Sequence, residues 1–414
     1  MGSTAVADAR TPPHRTTTGA FGRLCAVGFL AYCSYAICRT PLLPLLAREL
    51  GATPTTLGFV VGASTLTGIC LKLPGGTLSD VLGRRPLLLL GTIVFATMPV
   101  TYIGIASLGG LVALRFVHGA ATAIFGPVAS ASLSDLAPPE RRATWLSTYS
   151  TVQGAGQALG PVIAGYAIAC GRYDLAFIAA GILALGTPFL AARWPRDWSP
   201  AAPASPRRLH QFTSGITEVC RQPLILMTSL AQGAQFVLNG TLNAFLPLFA
   251  LDLVGVGPST LGWLFALQTA TTLVVRPLIG MLSDRTGRRG VIVAGLMVCS
   301  IAVLLVSLAN TPLVLVAAIL VYAAGVAVTT SATSALITDL PKRTRYGAAH
   351  GVFGTIYDVG DALGPILAGV LVATVGYRPM FQAMAGIALT ASLAFYVVSR
   401  SPTYRVQMHV SNPP

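Results

Sequence analysis

The chain has 414 residues, of which 54% are hydrophobic and only 10% charged, and its mean hydropathy is +0.72. Soluble domains carry about 25% charged residues, so a water-soluble fold is excluded and a polytopic membrane protein is expected. The net charge of +14 is read as membrane topology rather than nucleic-acid affinity, because Lys and Arg gather in cytoplasmic loops.

Residues 1–20 are polar, lack the early apolar core of a signal peptide, and are read as a cytoplasmic tail. Twelve apolar segments of spanning length follow, at 22–46, 57–78, 86–106, 110–134, 143–168, 174–193, 224–251, 258–281, 290–308, 312–337, 346–373 and 379–398. The stretch 194–222, rich in Pro, Ala, Ser and Arg, is the expected cytoplasmic linker. It separates one six-helix bundle, 21–193, from a second, 223–400, and 401–414 forms a second cytoplasmic tail. With both termini inside, 22 Lys and Arg fall on cytoplasmic segments and inner helix ends, Lys72 and Arg276 among them, and 3 on the outer side. That bias predicts a multi-pass protein of the cell membrane with both termini cytoplasmic. The seven cysteines form no extracellular disulfide pattern, and Cys33 and Cys38 are read as small apolar fillers rather than metal ligands.

Within the spans, a few polar residues stand out. Arg39 lies in the first, in SYAICRTPLLPLL, whose outer part is Pro-rich and expected to be irregular. A buried Arg calls for a carboxylate, a phosphate or a ring face, so Arg39 is expected to meet an anionic substrate or Asp361. Between the second and third spans stands GGTLSDVLGRR, in which Gly76 permits close helix approach and Gly83 a sharp turn. Its Asp80 can meet a basic side chain or a helix N-terminus, and Arg84 and Arg85 can pair with Asp or acidic lipid.

The fourth span carries Arg115 and His118, and His titrates near neutral pH. The fifth carries GQALGPVIAG, with Gly156, Gly160, Pro161 and Gly165 along one helix. In the seventh, Gln235, Asn239 and Asn243 recur every four residues along one face, as an inward-turned polar stripe or an interhelical hydrogen-bonding set. GMLSDRTGRR, with Asp284, Arg288 and Arg289, follows the eighth. The eleventh carries GTIYDVGDALGP, whose Asp358 and Asp361 are the acids placed deepest in the membrane. Three residues apart, they share a helix face, and two carboxylates so close should not both ionise easily. A proton carrier working near neutral pH needs that property; a structural pair with Arg39 or Arg115, a place near the cytoplasmic end where water reaches, and binding of a cationic substrate group are the alternatives.

Three motifs recur at an offset of 204: GGTLSDVLGRR with GMLSDRTGRR, Asp135 with Asp339, and QALGPVIAG with DALGPILAG. Two homologous halves in parallel orientation follow, an architecture of transporters. On these motifs the chain resembles the major facilitator superfamily over nearly its whole length, from about Phe21 to Arg400. The resemblance implies an all-α membrane protein of twelve helices in two six-helix bundles. It implies that the two loop motifs act as a gate latch, and that the fifth-span motif is the one associated with efflux antiporters. It implies that Arg115, with His118 where many members carry Gln, takes part in proton transfer. In that family spans one, four, seven and ten line a central cavity, so Arg39, Arg115, His118, Gln235, Asn239 and Asn243 are candidate cavity residues.

The expected function is therefore secondary transport: efflux of a small organic drug or metabolite coupled to protons, by alternating access, with Asp361, Asp358, Arg115 and His118 as proton-coupling candidates. Uptake of an anionic or hydroxylated solute with protons is the alternative, and a membrane receptor a more distant one. No nucleotide-binding or metal-ligand motif is present, so neither an enzyme nor a cofactor is expected. Expected partners are the small-molecule substrate, protons and membrane lipid, without nucleic acid, and the chain is expected to work as a monomer, as most of the family does.

Overall fold

The structure, a computed structural model, describes residues 14–194, 222–339 and 346–400, with the side chains at 14–17, 73–78, 80–81, 139 and 346–348 outside the described set. The expected linker, the C-terminal tail and most of the N-terminal tail therefore lie outside the described residues, as do Gly76 and the side chain of Asp80. The regular elements found are helices throughout. α1 (His14–Ile37) and α2 (Leu42–Glu49) share the first span, which breaks at 38–41 beside the prolines that predicted irregularity. α3 (Pro54–Leu82), α4 (Arg84–Ile103), α5 (Leu108–Leu136), α6 (Arg142–Ala169) and α7 (Tyr173–Ala192) complete the first half. The second half comprises α8 (Pro223–Phe249), α9 (Pro258–Thr286), α10 (Arg288–Leu308), α11 (Pro312–Asp339), α12 (Tyr346–Val375) and α13 (Tyr377–Ser399).

Local signals account for many ends. Thr53 caps α3 by accepting from the Thr56 amide, and Pro54 and Pro258 occupy the first turns of α3 and α9, where no amide partner is needed. Gly83 and Gly287, each at φ +90°, make the turns into α4 and α10. A side chain at that φ is strained, which is why both loop motifs carry Gly there.

Eleven helical segments among the described residues are long and apolar enough to cross a membrane. The sequence reading has twelve, and α6 is the difference. It is long enough at 28 residues, but one face carries Ser150, Gln153 and Gln157, which line an internal cavity. Polar residues facing a cavity lower a helix's mean hydropathy without exposing anything polar to lipid.

Within the first half α1 packs on α6, α3 on α5 and α4 on α7; within the second α12 packs on α8, and α10 on α11 and α13. The halves meet where α3 crosses α12 and α6 crosses α9. These two crossings are copies of one another. A Cβ on Gly58 would lie 2.1 Å from the Pro365 carbonyl oxygen, and one on Gly262 2.4 Å from that of Pro161. Gly369 meets Pro54 in the same way that Gly165 meets Pro258. Each contact maps onto its twin by the offset of 204, and small residues let the backbones touch.

The largest core cluster lies at this end of the molecule, opposite the Gly83 and Gly287 turns, and draws Leu42, Leu43 and Leu46 of α2 together with Phe245 and Phe249 of α8. Apolar side chains such as Phe189, Val274 and Leu313 project outward, as suits a lipid-facing surface.

Candidate functional site

A cavity of about 670 Å³ lies between the halves. The glycine contacts and the apolar core close it at the far end. Cross-half contacts continue along α3 and α12 as far as Lys72 and Asp358, and along α6 and α9 as far as Gly154 and Leu273.

Asp361 is the most connected residue on the wall. Its side chain is 9% exposed. Arg39 Nη2 donates to its Oδ2 at 2.9 Å, Thr65 Oγ1 donates to the same oxygen at 3.3 Å, and Asn239 Nδ2 donates to Oδ1 at 2.9 Å. Arg39 and Thr65 belong to the first half, Asn239 and Asp361 to the second, so this carboxylate ties the halves together at mid-cavity. Its helix is held close by Gly364, where a Cβ would lie 2.2 Å from the Val237 carbonyl oxygen of α8.

One turn away, Asp358 is paired with Lys72 of α3. The two carboxylates are thus each matched by a cation from the opposite half. The sequence reading treated Lys72 as a topology marker and missed it as a site residue. A signal existed: the chain has only two lysines, and one of them stands inside an apolar run. Arg276, the position matching Lys72 in the repeat, also lines the cavity, as do Tyr32, Tyr35, Phe236 and Tyr357, none of them anticipated.

Of the expected cavity residues, Arg39, Gln235, Asn239 and Asn243 border it. Gln235 is nevertheless 1% exposed and anchored, accepting from Gln232 Nε2 at 2.9 Å and donating to the Tyr322 hydroxyl at 3.3 Å. Arg115 and His118 do not border the cavity. Both are fully buried behind its wall. Arg115 donates to Ser64 Oγ and stacks over the Tyr35 ring at 5.6 Å, while His118 Nδ1 lies 3.3 Å from the Tyr102 hydroxyl. The cause is the rotation of α5: Arg115 turns toward Ser64 of α3 and Tyr35 of α1, His118 toward Tyr102 and Phe95 of α4, and Gly119 presses the helix onto α3, where a Cβ would lie 2.3 Å from the Ser64 carbonyl oxygen.

The loop motifs lie at the other end. Arg84 donates to Asp135 at 3.1 Å and to Ser79, and its counterpart Arg288 pairs with Asp339 and, at 3.1 Å, with Asp284. Arg85 reaches the Ala192 carbonyl at the end of α7, and Arg289 that of Ser399 at the end of α13. Cations at helix C-termini satisfy free carbonyls and complement the dipole. In the fifth-span motif, Gly156 and Gly160 seat α6 on α1, whereas Pro161 and Gly165 face α9.

A two-bundle helical fold around a cavity walled by part-buried ion pairs is the architecture of a membrane transporter. The family model of the Major Facilitator Superfamily matches residues 24–257 and again 228–409. The chain belongs to that superfamily. An uncharacterised MFS-type transporter of Methanocaldococcus jannaschii is 24% identical over 386 residues, covering 91% of this chain and 95% of the relative. The multidrug resistance protein MdtG of Escherichia coli is 25% identical over 366 residues, covering 84% and 87%. Among solved structures, a bacterial homolog of the human lysosomal transporter Spinster, inward-facing and unoccupied, superposes with a TM-score of 0.79 at 17% identity, covering 96% and 99%.

Proposed function

We propose that the chain exports a small organic compound from the cytoplasm in exchange for protons, by alternating access. One observation carries this reading: Asp361 binds groups of both halves at the wall of the cavity. Adding a proton to that carboxylate removes its charge and loosens its hold on Arg39. A ligand or proton shifts a two-state equilibrium by its differential affinity for the states, and a proton on Asp361 has such a differential because the α3–α12 contact must part for the far end to open.

The excess of Lys and Arg at the loop-motif end supports a cytoplasmic assignment for it. The cavity then faces the cytoplasm, from which an exporter loads. The relative named for multidrug resistance supports the same direction. Arg115 and His118 act in this reading from behind the wall, Arg115 bracing Ser64 and Tyr35 and His118 packing on the Tyr35 ring, rather than by touching substrate.

The test uses inside-out vesicles acidified by respiration, with a pH-sensitive dye inside and a panel of hydrophobic cations, antibiotics and organic anions. Compound-dependent alkalinisation in the wild type and none in Asp361→Asn is expected. Equal alkalinisation in the variant would remove Asp361 from the coupling, and acidification would indicate export of protons with the compound, the signature of an uptake system running in reverse.

A further inference from the structure

The internal repeat makes a comparison possible at the two crossings between the halves. At one, Lys72 of α3 pairs with Asp358 of α12. Shifted by 204 positions, the same pair falls on Arg276 of α9 and Gly154 of α6. The cation is kept and the acid is absent. Gly154 sits at the crossing, where a Cβ would meet the Leu273 side chain, and both Gly154 and Arg276 border the cavity. Arg276 Nε is buried with no hydrogen-bond partner among the described residues, and no described carboxylate lies within ion-pair distance of its guanidinium. The acceptor of Gln268, two turns earlier on α9, is likewise buried and unmatched.

The wall's described charges then balance unevenly. Arg39 is matched by Asp361 and Lys72 by Asp358, and Arg276 is left over, so the cavity carries one surplus positive charge. A guanidinium part-buried in a membrane protein needs an anion, and its planar fork suits a carboxylate, sulfonate or phosphate. The remaining wall offers aromatic rings from Tyr32, Tyr35, Phe236, Phe265 and Tyr357, in a volume within the range of drug-sized ligands.

We infer that the substrate is an amphipathic organic anion, with an aromatic or aliphatic body and one anionic head group that pairs with Arg276 in the place a counter-carboxylate holds at the sister crossing. The inference rests on this cavity being the transport site and narrows its substrate class.

The test measures binding to the purified full chain in detergent by calorimetry. The probes are matched sets of carboxylate, primary amide and primary amine on benzene, naphthalene and biphenyl bodies. In the wild type at least one carboxylate should bind about tenfold or more tighter than its amide, as expected for a charged hydrogen bond. Arg276→Gln should bring that ratio close to one, and Arg276→Lys should keep most of it. Gly154→Asp restores the missing acid opposite Arg276 and should abolish the preference as fully as Arg276→Gln, whereas Gly154→Ala should not. A preference unchanged by Arg276→Gln overturns the assignment, and so does a wild type that binds no carboxylate or favours the amide or amine. Binding in detergent needs no gradient. Loss of proton-coupled flux with the preference intact would therefore fault the coupling scheme alone, and coupled flux without the preference would fault the anion assignment alone.

Discussion

Arg48 and Asp252 stand 204 positions apart in the chain and 2.7 Å apart in space. Their separation equals the offset of the internal repeat, so each occupies the other's place in its own half, and their ion pair lies on the axis that relates the halves. It bridges the closed end of the cavity. With side chains 44% and 41% exposed, such a pair is worth at most about 1 kcal/mol of stability. In the proposed alternating-access cycle its effect falls on which state is populated. Arg48→Ala and Asp252→Asn should leave the thermal midpoint nearly unchanged while raising the labelling rate of a cysteine introduced at the far end of the cavity. An unchanged labelling rate would reduce the pair to a surface contact.

The Arg39–Asp361 pair should behave differently. Removing either member leaves a charge on a largely buried wall, and breaking such pairs is destabilising, here by about 1–3 kcal/mol because the cavity admits water. Asp361→Asn and Arg39→Gln should each lower the thermal midpoint, and the double variant should recover most of the loss. Transport should stay absent in the double variant. Additive losses without recovery would mean that the two residues are not coupled.

The close-packed glycines divide into two kinds. Gly364 presses α12 onto α8 within one half, whereas Gly58 presses α3 onto α12 across the halves. Gly364→Ala overpacks a permanent interface and should cost about 1–3 kcal/mol. In the proposed alternating-access cycle Gly58→Ala overpacks an interface that parts, so it should displace the population toward the state open at the far end with less loss of stability. Comparing thermal unfolding with far-end accessibility for the two variants separates these outcomes; identical behaviour would argue against a parting interface.

At the opposite end, Asp339 of α11 and Asp284 of α9 both pair with Arg288 at the start of α10, but only Asp339 is distant in sequence. Asp284 is four residues back, across the Gly287 turn, and its side chain is 63% exposed. Asp339→Asn should slow transport several-fold, and Asp284→Asn should have little effect through this pair. The same contrast is expected for Asp135→Asn in the first half, since Arg84–Asp135 is the equivalent bond. Equal rates for Asp284→Asn and Asp339→Asn would show that the loop is held by other contacts.

Much of this was legible in the residues themselves. Segment length and apolarity marked all twelve spans, because lipid forces every spanning backbone into helix and leaves few other patterns. The loop motifs announced the turns at Gly83 and Gly287, since only glycine sits comfortably at their φ. The possibility that Asp361 would neutralise Arg39 also followed, as two opposite charges in a low-dielectric interior seek each other. The face each helix turns to the cavity was harder to read. A span that touches lipid on one side and protein on the other is apolar almost all round, so its own pattern hardly fixes its rotation. Arg115 and His118 were expected in the cavity and lie behind its wall, whereas Lys72 and Arg276 were expected at the inner ends and line it.

The sequence by itself determined the membrane class, the helical spans, the two-fold repeat and the small set of buried charges, because each is written in composition or in spacing along the chain. Tertiary structure alone decided which charges meet. Arg39 and Asp361 lie 322 residues apart, Lys72 and Asp358 286 apart, and only the packing of the α1–α2 break and of α3 against α12 brings them together. At the equivalent crossing of α6 over α9, the position matching Asp358 is Gly154, and Arg276 has no acid in that place. The repeat gave both crossings the same backbone, and among the described residues one is a clasp of Lys72 and Asp358 while the other leaves Arg276 at the cavity with no carboxylate paired to it.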